Sequence, residues 1–325
     1  MFTRILACSA FAAFAAPAAA DTLSLAYFMG PNHPMNAAFF TPMGDMIAEK
    51  TEGALTVQQF PGGALNQSPP AQYSLLLDGV ADMAFMLPSF TNTLFPKTAV
   101  IGLPNICSDA VDCTNAITRA RAELETEYNA KIIGLWANSP PVLITRDKAV
   151  REVADLQGMT IRVADPTNIP FIEALGASPV AMPVSEINQA LANGVVDGVM
   201  IDPAGIGSFK LNDVGKYITT DIPGGAASFA VAMSQSVYAG LNDADRAAID
   251  AVASSDLSAQ AGATYAKISD MGIALAQESG LEIIDLGDDE RAKMQSAIDA
   301  VMPDILSAPA GDKTAGEILS LMTGQ

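Results

Sequence analysis

The chain has one histidine, His33, one tryptophan, Trp136, three cysteines, and only 17 lysines and arginines among 325 residues. Each scarcity removes a class of function. One histidine and cysteines at 8, 107 and 113 show no zinc-ligand spacing, so no metal centre is expected. A formal charge of −19 argues against nucleic acid and anionic membranes as partners. Beyond the N-terminus no uncharged apolar run reaches the length of a membrane-spanning helix. Catalytic signatures are missing as well. There is no G-x-S-x-G and no G-x-x-x-x-G-K-[ST], and Gly205-x-Gly207 lacks the third glycine of a dinucleotide loop. A lone His33 makes no triad by itself, and acidic pairs carry little information in so acidic a chain. No cofactor is expected.

What is present begins with a leader pattern over residues 1–20. Arg4 is followed by the apolar stretch Ile5–Ala16, and Pro17 to Ala20 resemble a small-residue cleavage site before Asp21. The Ile5-Leu6-Ala7-Cys8 run weakly resembles a lipoprotein signal, but only seven residues precede Cys8. Loss of Arg4 with the leader makes the remainder one charge more negative. An anionic solute would then need a local positive group to overcome the overall field. Cys107 and Cys113 remain, an even pair in an exported chain. They read as a disulfide clip at a helix start, with two unpaired thiols as the alternative.

Strand and helix patterns alternate along the chain. Asp21–Phe28 reads as a strand, Met29–Pro34 as a turn-rich loop, Met35–Thr51 as a helix and Leu55–Phe60 as a second strand. That order opens an α/β sheet, and His33 falls just past a strand end, where clefts form. Residues 68–78 and 111–128 read as helices, 81–86 and 131–136 as strands. Phe90 lies in a loop after the first of these strands. Trp136 and Asn138 end the second. Both aromatic residues are either pocket walls or core caps. A second alternation starts near Val142. It includes strand Met159–Val163, helix Asn168–Leu175 and strand Ser178–Ala181, then a helix capped by Ser185 over Glu186–Asn193 and strand Gly198–Ile201. Strand 227–233 is expected to cross back to the first domain. Residues 242–278 form a long helical run, with Ser254, Ser255 and Gly262 as points where it can break. A late edge strand at Leu281–Ile284, a helix from Asp288 to about Met302 and a short final helix complete the chain.

Arg162 stands apart. It sits mid-strand between Ile161 and Val163, where an unpaired guanidinium is costly. Only Asp165 is near in sequence. Either a carboxylate elsewhere in the fold pairs with it, or a ligand carboxylate does, held bidentately.

Several segments together resemble the solute-binding subunit of tripartite ATP-independent periplasmic (TRAP) transporters, the DctP-like family. They are Asp155 to Val163 (D-L-Q-G-M-T-I-R-V), Pro183 to Gly198 (P-V-S-E-I-N-Q-A-L-A-N-G-V-V-D-G), Phe60 to Leu65, Gln72 to Met83, and Leu103-Pro104 with the helix after it. Their order and spacing span the mature chain. The resemblance implies a type II-like, two-lobed α/β periplasmic binding protein fold with a long helix across both lobes. It implies capture of a small organic acid, no catalysis, and delivery to membrane transporter subunits.

Arg162 matches the family's carboxylate-binding arginine. Asp202 falls where the family usually offers an asparagine or another polar group. The place of a second arginine, used for sugar acids, is occupied near Val142, with Arg146 pointing away. A single clamp suggests a monocarboxylate with an apolar or aromatic body. The remaining candidate ligand-binding residues are His33, Phe90, Trp136, Asn138, Phe171, Met182, Asp202 and Phe209. The expected lobes are 21–143 with about 231–270, and about 144–230 with 271–325, in a monomeric periplasmic protein. A secreted enzyme using the interlobe cleft, or a sensory binding protein, are the alternatives.

Overall fold

The computed structural model describes residues 20–325; the leader and Cys8 lie outside them. Two sheets organise the chain. In the first, β1 (Asp21–Ala26) runs parallel to β2 (Leu55–Phe60) and to β3 (Met83–Met86). β4 (Ala130–Ala137) belongs to the same sheet. The second contains β5 (Val142–Thr145), β6 (Thr160–Val163), β7 (Ser178–Ala181), β8 (Gly198–Ile201) and β9 (Tyr217–Thr219). Then β10 (Ser228–Ser234) returns to the first sheet and pairs antiparallel with both β3 and β4. β11 (Glu282–Ile284) closes the edge of the second, parallel to β9. The orders are β2-β1-β3-β10-β4 and β11-β9-β5-β8-β6-β7. The chain therefore crosses between lobes at 138–141 and again at 220–227.

The inner strands are buried on both faces because helices cover them, whereas the outer β2 and β7 are largely half-buried or exposed. Every residue of β3, β8 and β10 is buried. The crossings are fixed by polar contacts. Ser139 Oγ lies 3.2 Å from Ser269 Oγ on the long helix Leu257–Glu278, and Gly225 N donates to Gly102 O. That helix packs on β4 and on the helix Ala110–Arg119 in the first lobe, and on the turn Gly205–Ser208 in the second.

Several expected elements differ. The 242–278 run is two helices, Asp243–Ala253 and Leu257–Glu278. It breaks at the expected Ser254–Ser255 pair, where Ser255 N and Ser255 Oγ both turn onto Val252 O, the carbonyl that Asp256 N would take in a continuous helix. Gly262 causes no break. A Cβ there would lie 2.4 Å from Thr114 Oγ1, so the glycine permits close helix packing. The 111–128 helix is three short pieces, and the first helix is preceded by a π-turn at Asn36–Phe40. Ser185 is not a cap. Glu186 N closes a turn onto Pro183 O, and the helix Ile187–Ala192 starts one residue later without a side-chain cap. The last helix begun by Asp288 continues to Ser307.

Lobe membership also differs at the edges. Val142 already pairs with Ile201 in the second sheet, and Ser228 with Ala137 in the first. The C-terminal helix Ala315–Thr323, expected with the second lobe, buries Ile318 and Met322 in the core of the first. Lys97 anchors the preceding turn by pairing with its Asp312 at 2.6 Å, and it also pairs with Glu123 of the helix Arg121–Leu124 at 2.5 Å. Cys107 and Cys113 are joined by a disulfide that leads into the helix Ala110–Arg119. Asp109 caps this helix by accepting from Val111 N and Asp112 N.

Candidate functional site

A cavity of about 250 Å³ lies between the lobes. Its floor in the second lobe is the carboxyl end of β6 and β8, the position at which open α/β sheets bind ligands. β6 lies between β7 and β8, with Arg162 opposite Val180 and Val199. The side chain of Arg162 is 1% exposed. Its Nε donates to Met182 O at 3.0 Å and its Nη1 to Met200 O at 2.9 Å. Nη2 is buried with no partner.

Among the described residues no carboxylate forms an ion pair with Arg162 within 4.0 Å. Burial lowers its pKa to about 10, opposed by the charge of Asp202, so it remains cationic at neutral pH. Two backbone carbonyls orient the fork and leave one N–H edge unused. A buried donor without a partner is costly, and a carboxylate is the acceptor that fits it best.

Asp202 stands where β8 ends. Its Oδ1 accepts from Ala204 N at 3.0 Å and its Oδ2 from Asn138 Nδ2 at 2.8 Å. Asn138 Oδ1 accepts from Ala227 N at 2.7 Å. Asn138 thus ties both lobe crossings to the second lobe, using its Oδ1 and one of its two Nδ2 hydrogens. Burial raises Asp202 to a pKa of about 6, with the hydrogen bonds from Ala204 N and Asn138 and the charge of Arg162 opposing it. Asp165 does not pair with Arg162. Its Oδ1 accepts from Thr167 N and Thr167 Oγ1, while Oδ2 is buried without a partner. Burial raises it to about 6 as well.

His33 lines the cavity from the first lobe. Its Nδ1 accepts from Met35 N at 3.3 Å, which places the ring proton on Nε2. Burial lowers its pKa to about 4, so the ring is neutral under ordinary conditions. The walls are aromatic: Phe28, Phe90, Phe209, Phe229 and Tyr265. Phe229 stacks on Tyr265 with ring centroids 4.9 Å apart. Among the described residues no cluster of His, Cys, Asp and Glu could hold a metal ion.

The structure therefore brings Arg162, His33, Phe90, Asn138, Asp202 and Phe209 to one cavity. Three other candidates are elsewhere. Trp136 is fully buried, 4.8 Å from the Phe39 ring and 5.7 Å from Phe85, and backs the cavity only through Phe229. The aromatic core beneath the first sheet takes it because its strand alternation points it away from the crossing. Phe171 is fully buried in the first-lobe core, which the second-lobe helix Ile169–Ala174 reaches across the seam. Met182 supplies its backbone oxygen to Arg162 and is not a wall residue.

Phe28, Phe229 and Tyr265 went unnoticed in the sequence. Phe28 lies two residues beyond the end of β1, a strand-tip position like that of Phe90 after β3. Tyr265 is one of many half-apolar positions in a long helix, and nothing local distinguishes it.

The site can be set beside known proteins. A family profile described as bacterial extracellular solute-binding protein, family 7 (DctP), matches residues 25–308. The uncharacterized protein y4mM of Sinorhizobium fredii is 31% identical over 67% of this chain, which spans 41% of that protein. The chain spans 62% and 65% of two further curated relatives, less than two thirds of each of these three. The C4-dicarboxylate-binding periplasmic protein DctP of Rhodobacter capsulatus is 29% identical over 70% of each chain.

Among solved structures, a marine metagenome TRAP solute-binding protein specific for aromatic acid ligands, bound to 3-hydroxybenzoate, has a TM-score of 0.84. It is 25% identical and covers 94% of this chain and 98% of its own. A TRAP periplasmic solute-binding protein of Bordetella bronchiseptica with bound mandelate has a TM-score of 0.79. It shares 23% identity, with 93% and 98% coverage, and attests the fold. The chain belongs to the DctP family, family 7 of the bacterial extracellular solute-binding proteins, and has the two-lobed fold of the TRAP solute-binding proteins.

Proposed function

We propose that this protein captures a monocarboxylate with an aromatic or apolar body in the periplasm and delivers it, unaltered, to the membrane subunits of a TRAP transporter. The observation that carries this reading is the single unpartnered guanidinium edge of Arg162 in a cavity walled by phenyl rings. A second carboxylate would meet Asp165 and Asp202 and no second cation, since among the described residues Arg162 is the only Lys or Arg that lines the cavity. The aromatic-acid specificity of the metagenome protein agrees with these walls. Capture uses the opening and closing of lobes about the 138–141 and 220–227 crossings. The protein acts as a monomer.

A thermal-shift screen of organic acids tests the assignment. Benzoate or phenylacetate at about 100 times its Kd is expected to raise stability by about 2.7 kcal/mol. Succinate and glucuronate are expected to give little shift. A strong preference for either of those two defeats the monocarboxylate reading, and conversion of the recovered solute defeats the transport reading.

The pH dependence follows from the groups that line the cavity, namely His33, Arg162, Asp165, Asp202 and Tyr265. Tyr265 is held protonated by burial, and His33 stays neutral down to about 4. Asp165 and Asp202 are ionised above about 6 and repel an anion; below it they take up protons while Arg162 keeps its charge. Affinity for benzoate, which has no donor of its own, is therefore expected to rise as pH falls from about 7.5 to about 5. The gain is roughly tenfold, the size of one screened like-charge repulsion at short range. Titration calorimetry at the two pH values checks it, and affinity that is flat or falls on acidification contradicts it.

A further inference from the structure

We infer that the solute carries a hydrogen-bond donor, a hydroxyl or an ammonium group, on the carbon beside its carboxylate, and that Asp202 accepts from it. This rests on the carboxylate reading of Arg162 given above. Arg162 and Asp202 are held close by the same strand: Arg162 Nη1 donates to Met200 O, two residues before Asp202. Val199, on that strand, faces Arg162 in the sheet register. A solute seated on Nη2 of Arg162 therefore presents the atoms nearest its carboxylate to Asp202.

Asp202 is half-buried and lines the cavity, and an ionised carboxylate can only accept. Two of its acceptor positions are taken by Asn138 Nδ2 and Ala204 N. Among the described residues no other residue donates to its carboxylate, and each carboxylate has about four such positions. Asn138 is no substitute acceptor for a donor on the solute, because its Oδ1 already accepts from Ala227 N while its Nδ2 donates to Asp202. A bare carboxylate would thus meet one cation and an acceptor-only group side by side. A donor on the adjacent carbon converts that repulsion into a hydrogen bond. Asp165 is the weaker candidate for this role. It is only 2% exposed, and its free Oδ2 faces Gly102 of the first lobe, where a Cβ would lie 3.1 Å away.

Three acids sharing one skeleton isolate the donor: phenylacetate, mandelate and phenylglycine, which place hydrogen, hydroxyl or ammonium on the same carbon. Titration calorimetry of the full mature chain near neutral pH is expected to show mandelate or phenylglycine binding at least tenfold more tightly than phenylacetate. In Asp202→Asn the preference is expected to fall close to unity, with phenylacetate binding more tightly than in the unaltered protein. A purely structural role for Asp202 would weaken all three acids alike and leave their ratio unchanged. If the unaltered protein binds all three equally, the inference fails while the carboxylate reading stands; this comparison needs no variant to fold. If the preference persists in Asp202→Asn, the inference also fails. If no organic acid binds in the broader screen, both fall together.

Discussion

Arg162→Ala is expected to weaken carboxylate binding by more than a hundredfold. Truncating one side of a buried, hydrogen-bonded charge pair costs about 2–5 kcal/mol or more, and about 1.4 kcal/mol is a factor of ten in Kd. The upper part of that range applies here, because Arg162 is 1% exposed and no second cation among the described residues lines the cavity. The variant also loses the donors to Met182 O and Met200 O. Each buried carbonyl left unpaired costs about 1–3 kcal/mol, so the ligand-free protein is expected to melt earlier as well. Calorimetry separates the two effects, since Kd is measured on whatever folds at the working temperature. Arg162→Lys keeps a charge but not a planar fork; it is expected to recover part of the affinity and little of the carbonyl bonding. An Arg162→Ala protein that binds the same acid with unchanged Kd would remove the clamp from the mechanism.

The second large effect is expected away from the cavity. Gly272 lies in the long helix Leu257–Glu278, and a Cβ there would sit 1.9 Å from Pro203 O and 2.8 Å from Pro203 C. The obstacle is backbone, so no side chain can swing aside. Either the helix moves out or the 202–204 turn moves in, and that turn carries Asp202 with its bonds to Ala204 N and Asn138. Gly272→Ala is therefore expected to cost about 1–3 kcal/mol, the range for overpacking a tight site. It should also weaken solute binding, through the displaced Asp202. Gly240→Ala is the control, because nothing lies within 4 Å of a Cβ at that position. Equal melting temperatures and equal Kd for the two variants would show that the helix contact does not hold the site.

Both effects concern contacts that the sequence shows unequally. Arg162 was legible because a guanidinium between Ile161 and Val163 breaks the apolar alternation of a strand, and that break is local. The strand-tip positions His33, Phe90 and Asn138 were legible for a similar reason, since ligand clefts lie beyond carboxyl ends of strands. Trp136 and Phe171 carried the same kind of signal and went into the cores instead. Whether a large ring at a strand or helix end faces a cleft or a core depends on which layer covers it, and no local pattern records that. Gly272 shows the opposite failure. It is one ordinary glycine among 25, and its importance exists only because Pro203, far away in sequence, approaches it.

The sequence by itself determined the alternating strand and helix order, the exported character, the lack of a metal or catalytic signature and the oddity of Arg162. These depend on composition, on periodicity and on the cost of a charge in an apolar strand, all of them properties of short stretches. The tertiary structure decided that no carboxylate among the described residues claims Nη2 of Arg162, and that Asp202 is bound to Asn138 instead. It also decided that Phe229 and Tyr265 complete the walls and that the C-terminal helix returns to the first lobe. Those outcomes are set by distances between segments tens to hundreds of residues apart, where chain reversal and packing, and not local preference, choose the neighbours.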